Sequence, residues 1–244
     1  MSDAVTAVSD PFAVVVGQAD AVAQLRAATR APVHAYLLVG GRGSGKRTLA
    51  RAFAGALLAD GQDDEGAARA TALALAGQHP DLHVFERAGA AISVAQADEI
   101  IREASRSPVE GNRKVLVLVD FHLVREVGPK LLKSIEEPSP STVFVVLAEQ
   151  VPPELITIAS RCVRVDLGVL TVGEVRAALE AAGVEGDRAA EVAAAAGGDL
   201  DRARLLATDE RFSVRRAAWL GAPEQLDGTG AAVWRLVTEL RATI

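Results

Sequence analysis

The chain is 244 residues long, half of them apolar, with a net charge of −6 and a single cysteine, Cys162. That length holds one large domain or two modest ones with a real core, and the apolar half excludes a disordered chain. The acidic balance argues against a free-standing nucleic-acid binder, and one cysteine excludes an internal disulfide framework and suits a reducing compartment. No apolar run approaches the ~18 residues of a membrane span. The densest run, "VLVLV" (115–119), has strand length, and the opening "MSDAVTAVSDPF" lacks the basic-then-apolar order of a secretion signal. The expectation is a cytoplasmic protein with no membrane partner. Only four of the 26 cationic residues are lysines, Lys46, Lys114, Lys130 and Lys133. In so arginine-biased a chain a lysine can mark a place that needs a compact ammonium. Its motif supports that for Lys46; for the other three, chance is the expectation.

"HAYLLVG" (34–40) reads as a buried strand running into "GGRGSGKRTLA", and Leu49, Phe53, Ala56 and Leu57 then repeat at helical spacing. Strand, glycine loop and helix are the context of a phosphate-binding loop, G-x-x-x-x-G-K-S/T. Gly40, Gly41, Gly43, Ser44, Gly45 and Lys46 fit the frame, and inward N–H groups with a helix N-terminus would cradle phosphates. The last position departs: Arg47 stands where a hydroxyl should hold Mg²⁺, and Thr48 arrives one residue late. A guanidinium has donors but no lone pair for a metal. Residues 40–48 therefore form a candidate ATP site in which metal-assisted hydrolysis is disfavoured.

Further along, 61–80 reads as an acidic loop and a helix, and "DLHVF" (81–85) as a second strand. "SVAQADEIIREASRSP" reads as a helix capped by Ser93, with Val94, Ala97, Ile100, Ile101 and Ala104 on one face. "RKVLVLVD" is a wholly apolar third strand, expected at the centre of a parallel sheet. "VREVGPKLLKSIEEP" follows as a helix whose start Gly128 and Pro129 delay or kink. "STVFVVLAE" is a fourth strand and "ITIASRCVRVDL" a loop with a short fifth. Alternating strands and helices predict a three-layer α/β domain over 1–168. The alanine-rich stretch 169–208, broken at 183–186 and 197–198, predicts three short helices. Residues 209–244 begin more helix, with Val233, Leu236, Val237 and Leu240 on a stripe that needs a partner.

Seven stretches in order resemble the clamp-loader branch of the AAA+ ATPases: "VVGQADAVAQL", "HAYLLVGGRGSGK", "HPDLHVF", "VEGNRKVLVLVD", "LLKSIEEPSPSTVFVVLA", "LITIASRC" and "GGDLDRAR". Together they cover 14 to about 207, and the "LLK-x-x-EEP" and "T-I-x-SRC" pieces are the most specific. The resemblance implies an AAA+ (RecA-like) parallel-sheet domain, a small helical lid and the start of a helical collar that looks truncated relative to the family. It places Lys46 at the β and γ phosphates and makes Asp120 a remnant of the Mg²⁺-associated aspartate. Phe121 stands where the family has its water-orienting glutamate, and a phenyl ring cannot do that work. His122 is the nearest titratable substitute, more simply read as a loop histidine.

The same resemblance makes Arg161, in Ser160-Arg161-Cys162, an arginine finger acting in trans on a neighbour's γ-phosphate. The plainer alternative is an ion pair with a local carboxylate such as Asp166. Arg202 corresponds to the lid's nucleotide-sensing arginine, or is a solvated helix arginine. Val15–Gln18 and Leu25 resemble an adenine-side wall, or are core. The family's four-cysteine zinc module has no counterpart between 57 and 83, and Pro80 keeps His79 and His83 off one helical turn; no metal is expected. The implied partners are motor ATPase subunits, a clamp-opening delta-like subunit, the sliding clamp, and primed DNA within the assembly. Arg102 and Arg106 are candidates for phosphate contacts. The alternative is an active AAA+ motor in which Thr48 or a shifted register restores metal binding, with Phe121 as its difficulty. A P-loop nucleotide kinase is a third reading without an acceptor motif.

Overall fold

Five short strands pair in parallel in the order β2-β3-β4-β1-β5. They are β1 (Ala35–Val39), β2 (Leu82–Phe85), β3 (Lys114–Leu118), β4 (Thr142–Ala148) and β5 (Val163–Asp166). The computed structural model describes residues 10–87, 89, 92–123 and 127–242. β1, β3 and β4 are buried along their whole length, which is why each reads as a continuous apolar run and none alternates. β4, not β3, is the middle strand; β3 lies between β2 and β4. An unbroken apolar run identifies a strand covered on both faces, and that property does not rank the interior strands.

The two faces collect different helices. Leu38, Val117, Val145 and Leu147 face a core shared with Leu25 of α1 (Ala19–Ala28), Leu49, Phe53 and Leu57 of α2 (Lys46–Leu58), and Ala70 and Ala74 of α3 (Asp64–Ala76). Leu37, Leu116, Phe144 and Val146 face the other core. There they meet Ala97 and Ile100 of α4 (Val94–Ser105), Leu131 and Ile135 of α5 (Gly128–Glu136), and Ile158 of α6 (Ile156–Ala159). Each fully buried leucine or phenylalanine stabilises these layers by roughly 1.5–3 kcal/mol relative to exposure.

Ser93 and Gln96 form the capping box that starts α4. Val94, expected on its buried face, is exposed, because the first residue after the cap lies outside the packed stripe. α5 begins at Gly128 with Pro129 in its first turn, where a missing N–H costs nothing; residues 124–126, read into this helix above, lie outside the described residues. Lys114 corrects the expectation of chance. Its side chain is buried, and Nζ donates to Glu103 O and to Arg106 O (2.7 Å), with Glu103 Oε1 at 3.3 Å. A compact ammonium thus closes the C-terminal end of α4.

A second compact unit, 171–244, is helical. α7 (Val172–Ala181) opens with a Thr171/Glu174 capping box, and α8 (Gly186–Ala196) and α9 (Leu200–Thr208) follow. Val175, Leu179, Ala189, Val192, Ala196 and Ala203 are its buried interior. α10 (Phe212–Gly221) and α11 (Gly230–Ala242) continue the chain. On α11 Leu236 of the expected stripe is buried, as is Ala232, and Leu240 is half-buried, whereas Val233 and Val237 are exposed. Among the described residues no helix is long and apolar enough to cross a membrane.

Candidate nucleotide site and arginine loop

The glycine loop is built where β1 ends. Gly40 N–H donates to Ala148 O at 3.1 Å and Leu167 N–H to Val39 O at 2.7 Å, pressing the loop between the ends of β4 and β5. A Cβ on Gly40 would stand 2.8 Å from Leu167 O and 2.9 Å from Leu167 Cβ, so only glycine fits. Gly45 has room for a side chain but sits at φ +87° as the cap of α2, a backbone glycine alone adopts cheaply. Among the described residues the N–H groups of Gly41, Gly43 and Gly45 take no acceptor. The first turn of α2 adds its own N–H groups and the positive end of the helix dipole. Lys46 Nζ donates to Gly40 O and Gly41 O, both at 2.6 Å. Ser44 is buried and its Oγ has no partner among the described residues. Unspent donors, an orphaned hydroxyl and an ammonium resting on loop carbonyls fit a polyphosphate.

Gln18 secures this loop from outside. It stands in the left-handed region at φ 61°, and its Nε2 donates to Ser44 O (3.1 Å) and Gly168 O (2.8 Å) while its Oε1 accepts from Gly168 N–H (3.0 Å). Sequence reading placed Gln18 in a candidate adenine wall and missed this clamp; a non-glycine residue with positive φ leaves no signature in a sequence.

The residues present do not fit a magnesium site. The Arg47 guanidinium, standing where a hydroxyl ligand belongs, is ion-paired with Glu86, just beyond β2. It therefore neither fills the loop nor replaces the ion there. Thr48 is half-buried in the first turn of α2. Asp120, at φ 52°, lies 3.7 Å from Arg87 Nε. Glu86 and Arg87, successive residues that carried no motif, thus engage both positions that a metal would need. Phe121 is not presented to solvent: the turn after Asp120 carries its ring, fully buried, into the core beside α4 and α5. His122 Nδ1 accepts from Glu149 N–H at 3.3 Å, a loop contact.

Arg161 lies on the turn between α6 and β5. Ile158 is buried and Cys162 packs against the same core, its thiol pushed up to about 12 by burial, so both flanks of the turn are pinned. Arg161 Nη1 donates to Thr157 O (2.8 Å) and Ser160 Oγ (3.2 Å), and its Nε lies 3.1 Å from Glu136 Oε1. Asp166, the expected local carboxylate, is instead held by Arg164 through contacts of 2.8 to 3.0 Å. Two positions apart on edge strand β5, these side chains point the same way, whereas Glu136 comes from the adjoining helix.

Arg202 belongs to the helical unit, where its N–H caps onto Asp199 (2.9 Å) and its side chain lines a groove with Phe212, Arg215, Arg216 and Trp219. Arg106 pairs with Glu103 at 3.0 Å, and Arg102 is exposed. His79 Nδ1 accepts from Asp81 N–H (3.0 Å), while His83 Nε2 faces Glu103 (3.3 Å), so the two histidines serve different neighbours. Among the described residues no group of three or more His, Cys, Asp or Glu converges as a ligand set.

A parallel sheet with a glycine loop leaving its β1 strand, and a helical unit following it, is the fold of the AAA+ class. The fold matches that of a RuvB variant from Thermotoga maritima with a TM-score of 0.57 at 19% identity, covering 82% of this chain and 65% of that one. Within the class, the sequence profile of the family described as DNA polymerase III, delta subunit, matches residues 17–171, and the chain belongs to that family. It is 39% identical over 137 residues to the DNA polymerase III subunit delta′ of Pseudomonas aeruginosa, covering 54% of this chain and 42% of that protein. To the subunit delta′ of Bacillus subtilis it is 33% identical over 132 residues, 53% of this chain and 40% of that protein. The matched region therefore spans about two fifths of these relatives.

Proposed function

We propose that the chain is a delta-prime-like, non-motor subunit of a replicative clamp loader in the bacterial cytoplasm. It lends Arg161 to a neighbouring subunit's ATP site and hydrolyses little or no ATP itself. Its partners are motor ATPase subunits, a clamp-opening delta-like subunit, the sliding clamp, and primed DNA met through phosphates in the assembly. The observation that carries the reading is the pairing of Arg47 with Glu86, at the position where hydrolysis requires a metal-bound hydroxyl. Asp120 beside Arg87 and Phe121 in the core support it from the other side of the site. The loop N–H groups, Lys46 and Ser44 would hold the phosphates of ATP. A permanently charged guanidinium at Arg161 suits the charge that spreads over transferring phosphoryl oxygens.

The test is an ATP titration of the isolated protein with and without Mg²⁺, followed by a turnover assay, with Lys46→Ala as control. Binding without turnover, or no binding, supports the proposal. Mg²⁺-dependent turnover lost in Lys46→Ala would make the chain a motor and overturn it.

A further inference from the structure

We infer that Glu136 is a positioning residue for Arg161: its carboxylate holds the guanidinium in place while the outer edge is presented to the phosphoryl oxygens of a nucleotide on a neighbouring subunit. This rests on the proposed role of Arg161. Three observations carry it.

The guanidinium is engaged on two of its nitrogens and not on the third. Nη1 donates to Thr157 O and Ser160 Oγ; Nε is screened from solvent and lies 3.1 Å from Glu136 Oε1, near enough for an ion pair but not aligned as a hydrogen bond. Nη2 has no partner among the described residues. A side chain held this way has spent most of its rotamer freedom before any phosphate arrives. An imperfectly aligned contact that tightens once the reacting complex is formed is usual for catalytic hydrogen bonds.

Glu136 is also placed against its own helix. It is the last residue of α5, and Glu137 follows it. The negative end of the dipole there favours a cation, such as Lys133 one turn earlier, and disfavours a carboxylate. Helix stability therefore gives no reason for a glutamate at this position, whereas the guanidinium across from it does.

Both residues sit on rigid supports. Leu131 and Ile135 bury the inner face of α5, and Ile158 and Cys162 fix the turn that carries Arg161. With side chains 33% and 49% exposed, the pair adds little to folding stability, so a merely structural ion pair and a positioning contact predict different experiments.

The experiment is ATP turnover by the assembled loader containing the full protein, prepared with Glu136→Gln, Glu136→Asp, Arg161→Ala and the Glu136→Gln/Arg161→Ala double variant. Assembly and Tm are followed in parallel. Glu136→Gln is expected to lower kcat by about tenfold with KM and Tm unchanged, since misplacing a catalytic group by an ångström costs up to about a hundredfold. Glu136→Asp should recover part of the loss, and the double variant should turn over no more slowly than Arg161→Ala alone. Normal kcat in Glu136→Gln alongside a loss in Arg161→Ala would overturn the positioning role and leave the finger standing. A further loss on adding Glu136→Gln to Arg161→Ala would also overturn it, because Glu136 would then act elsewhere. Normal turnover in Arg161→Ala would remove the finger itself.

Discussion

Gln18 and Gly168 are 150 residues apart in the chain and joined by two reciprocal hydrogen bonds, side-chain amide to backbone amide, of 2.8 and 3.0 Å. The same Nε2 reaches Ser44 O, so one side chain ties the glycine loop to the segment leaving β5. Gln18→Ala is expected to destabilise the first unit by about 1–2 kcal/mol, a few partly exposed hydrogen bonds' worth, and to weaken any ATP binding. Gln18→Glu should be worse, because it removes both donated bonds and sets a carboxylate beside two carbonyl oxygens. Urea unfolding of the three proteins checks the order; equal stability of all three would show that the clamp is idle.

The loop glycines separate two causes of the same preference. At Gly40 the limit is space, with backbone at 2.8 Å from a new Cβ; at Gly45 it is conformation, with open space but φ +87°. Gly40→Ala must displace Leu167 and is expected to cost about 1–3 kcal/mol, as overpacking does. Gly45→Ala needs no displacement and should cost about 1–2 kcal/mol of left-handed strain. Moreover, Gly45→Asn should recover part of the Gly45 loss, since asparagine tolerates this region, while no small polar residue rescues Gly40. Thermal melts of the three variants decide it.

These cases show what could be read from residues alone. The loop, the strands around it and the helical second unit were legible because each rests on local pattern: glycine spacing, unbroken apolar runs, a capping residue at Ser93. Gln18, Glu86, Arg87 and Glu136 were not legible, since each acts through a partner brought close only by the sheet order. Phe121 was legible as a missing carboxylate but not as a core residue, because the backbone turn at Asp120 decides which way it points. Asp166 was the wrong partner for Arg161 for a similar reason: nearness in sequence favoured it, and the strand gave it to Arg164.

Lys114 offers a sharper test of burial. Its Nζ serves two carbonyls and one carboxylate inside the α4 layer. Lys114→Met keeps the stem and leaves those acceptors, including the Glu103 charge, without their cation. The expected loss is about 2–4 kcal/mol, toward the range for removing one partner of a buried pair. Pairing it with Glu103→Gln should give a non-additive double variant, more stable than the sum of the two singles, measurable in a urea double-mutant cycle.

Stability should fall with acid in two steps. Burial holds His79 and His83 below the ordinary histidine value of 6.5, against smaller attractions from nearby carboxylates. Burial tends to raise Glu103, but the Lys114 hydrogen bond and the charges of His83, Lys114 and Arg106 outweigh it and hold the carboxyl below 4.5. For each group the unfolded chain takes up its proton first, so the contribution is complete above the unfolded value and lost as pH falls through the folded one. The first decline therefore begins below 6.5 and the second below 4.5. His83→Gln should flatten the first step and also weaken the second, because it removes one of the charges that hold Glu103 down; an unchanged first step in the His79→Gln/His83→Gln variant would assign it to other groups.

Cys162 gives a readout of the arginine turn itself. Its thiol packs against the core under Arg161, and burial pushes it up to about 12, so almost no thiolate exists near neutral pH. Thiolate is the nucleophile in alkylation, and a thiol in this state reacts only when the turn opens. Iodoacetamide labelling of the native protein at pH 7.5 should be slower than that of the urea-unfolded chain by at least about a hundredfold. Arg161→Ala should leave that protection largely in place, because Ile158 and the Cys162 side chain, not the guanidinium, pin the turn. Rapid labelling of the native protein would mean that the turn opens freely, and that Arg161 is not held ready by its surroundings.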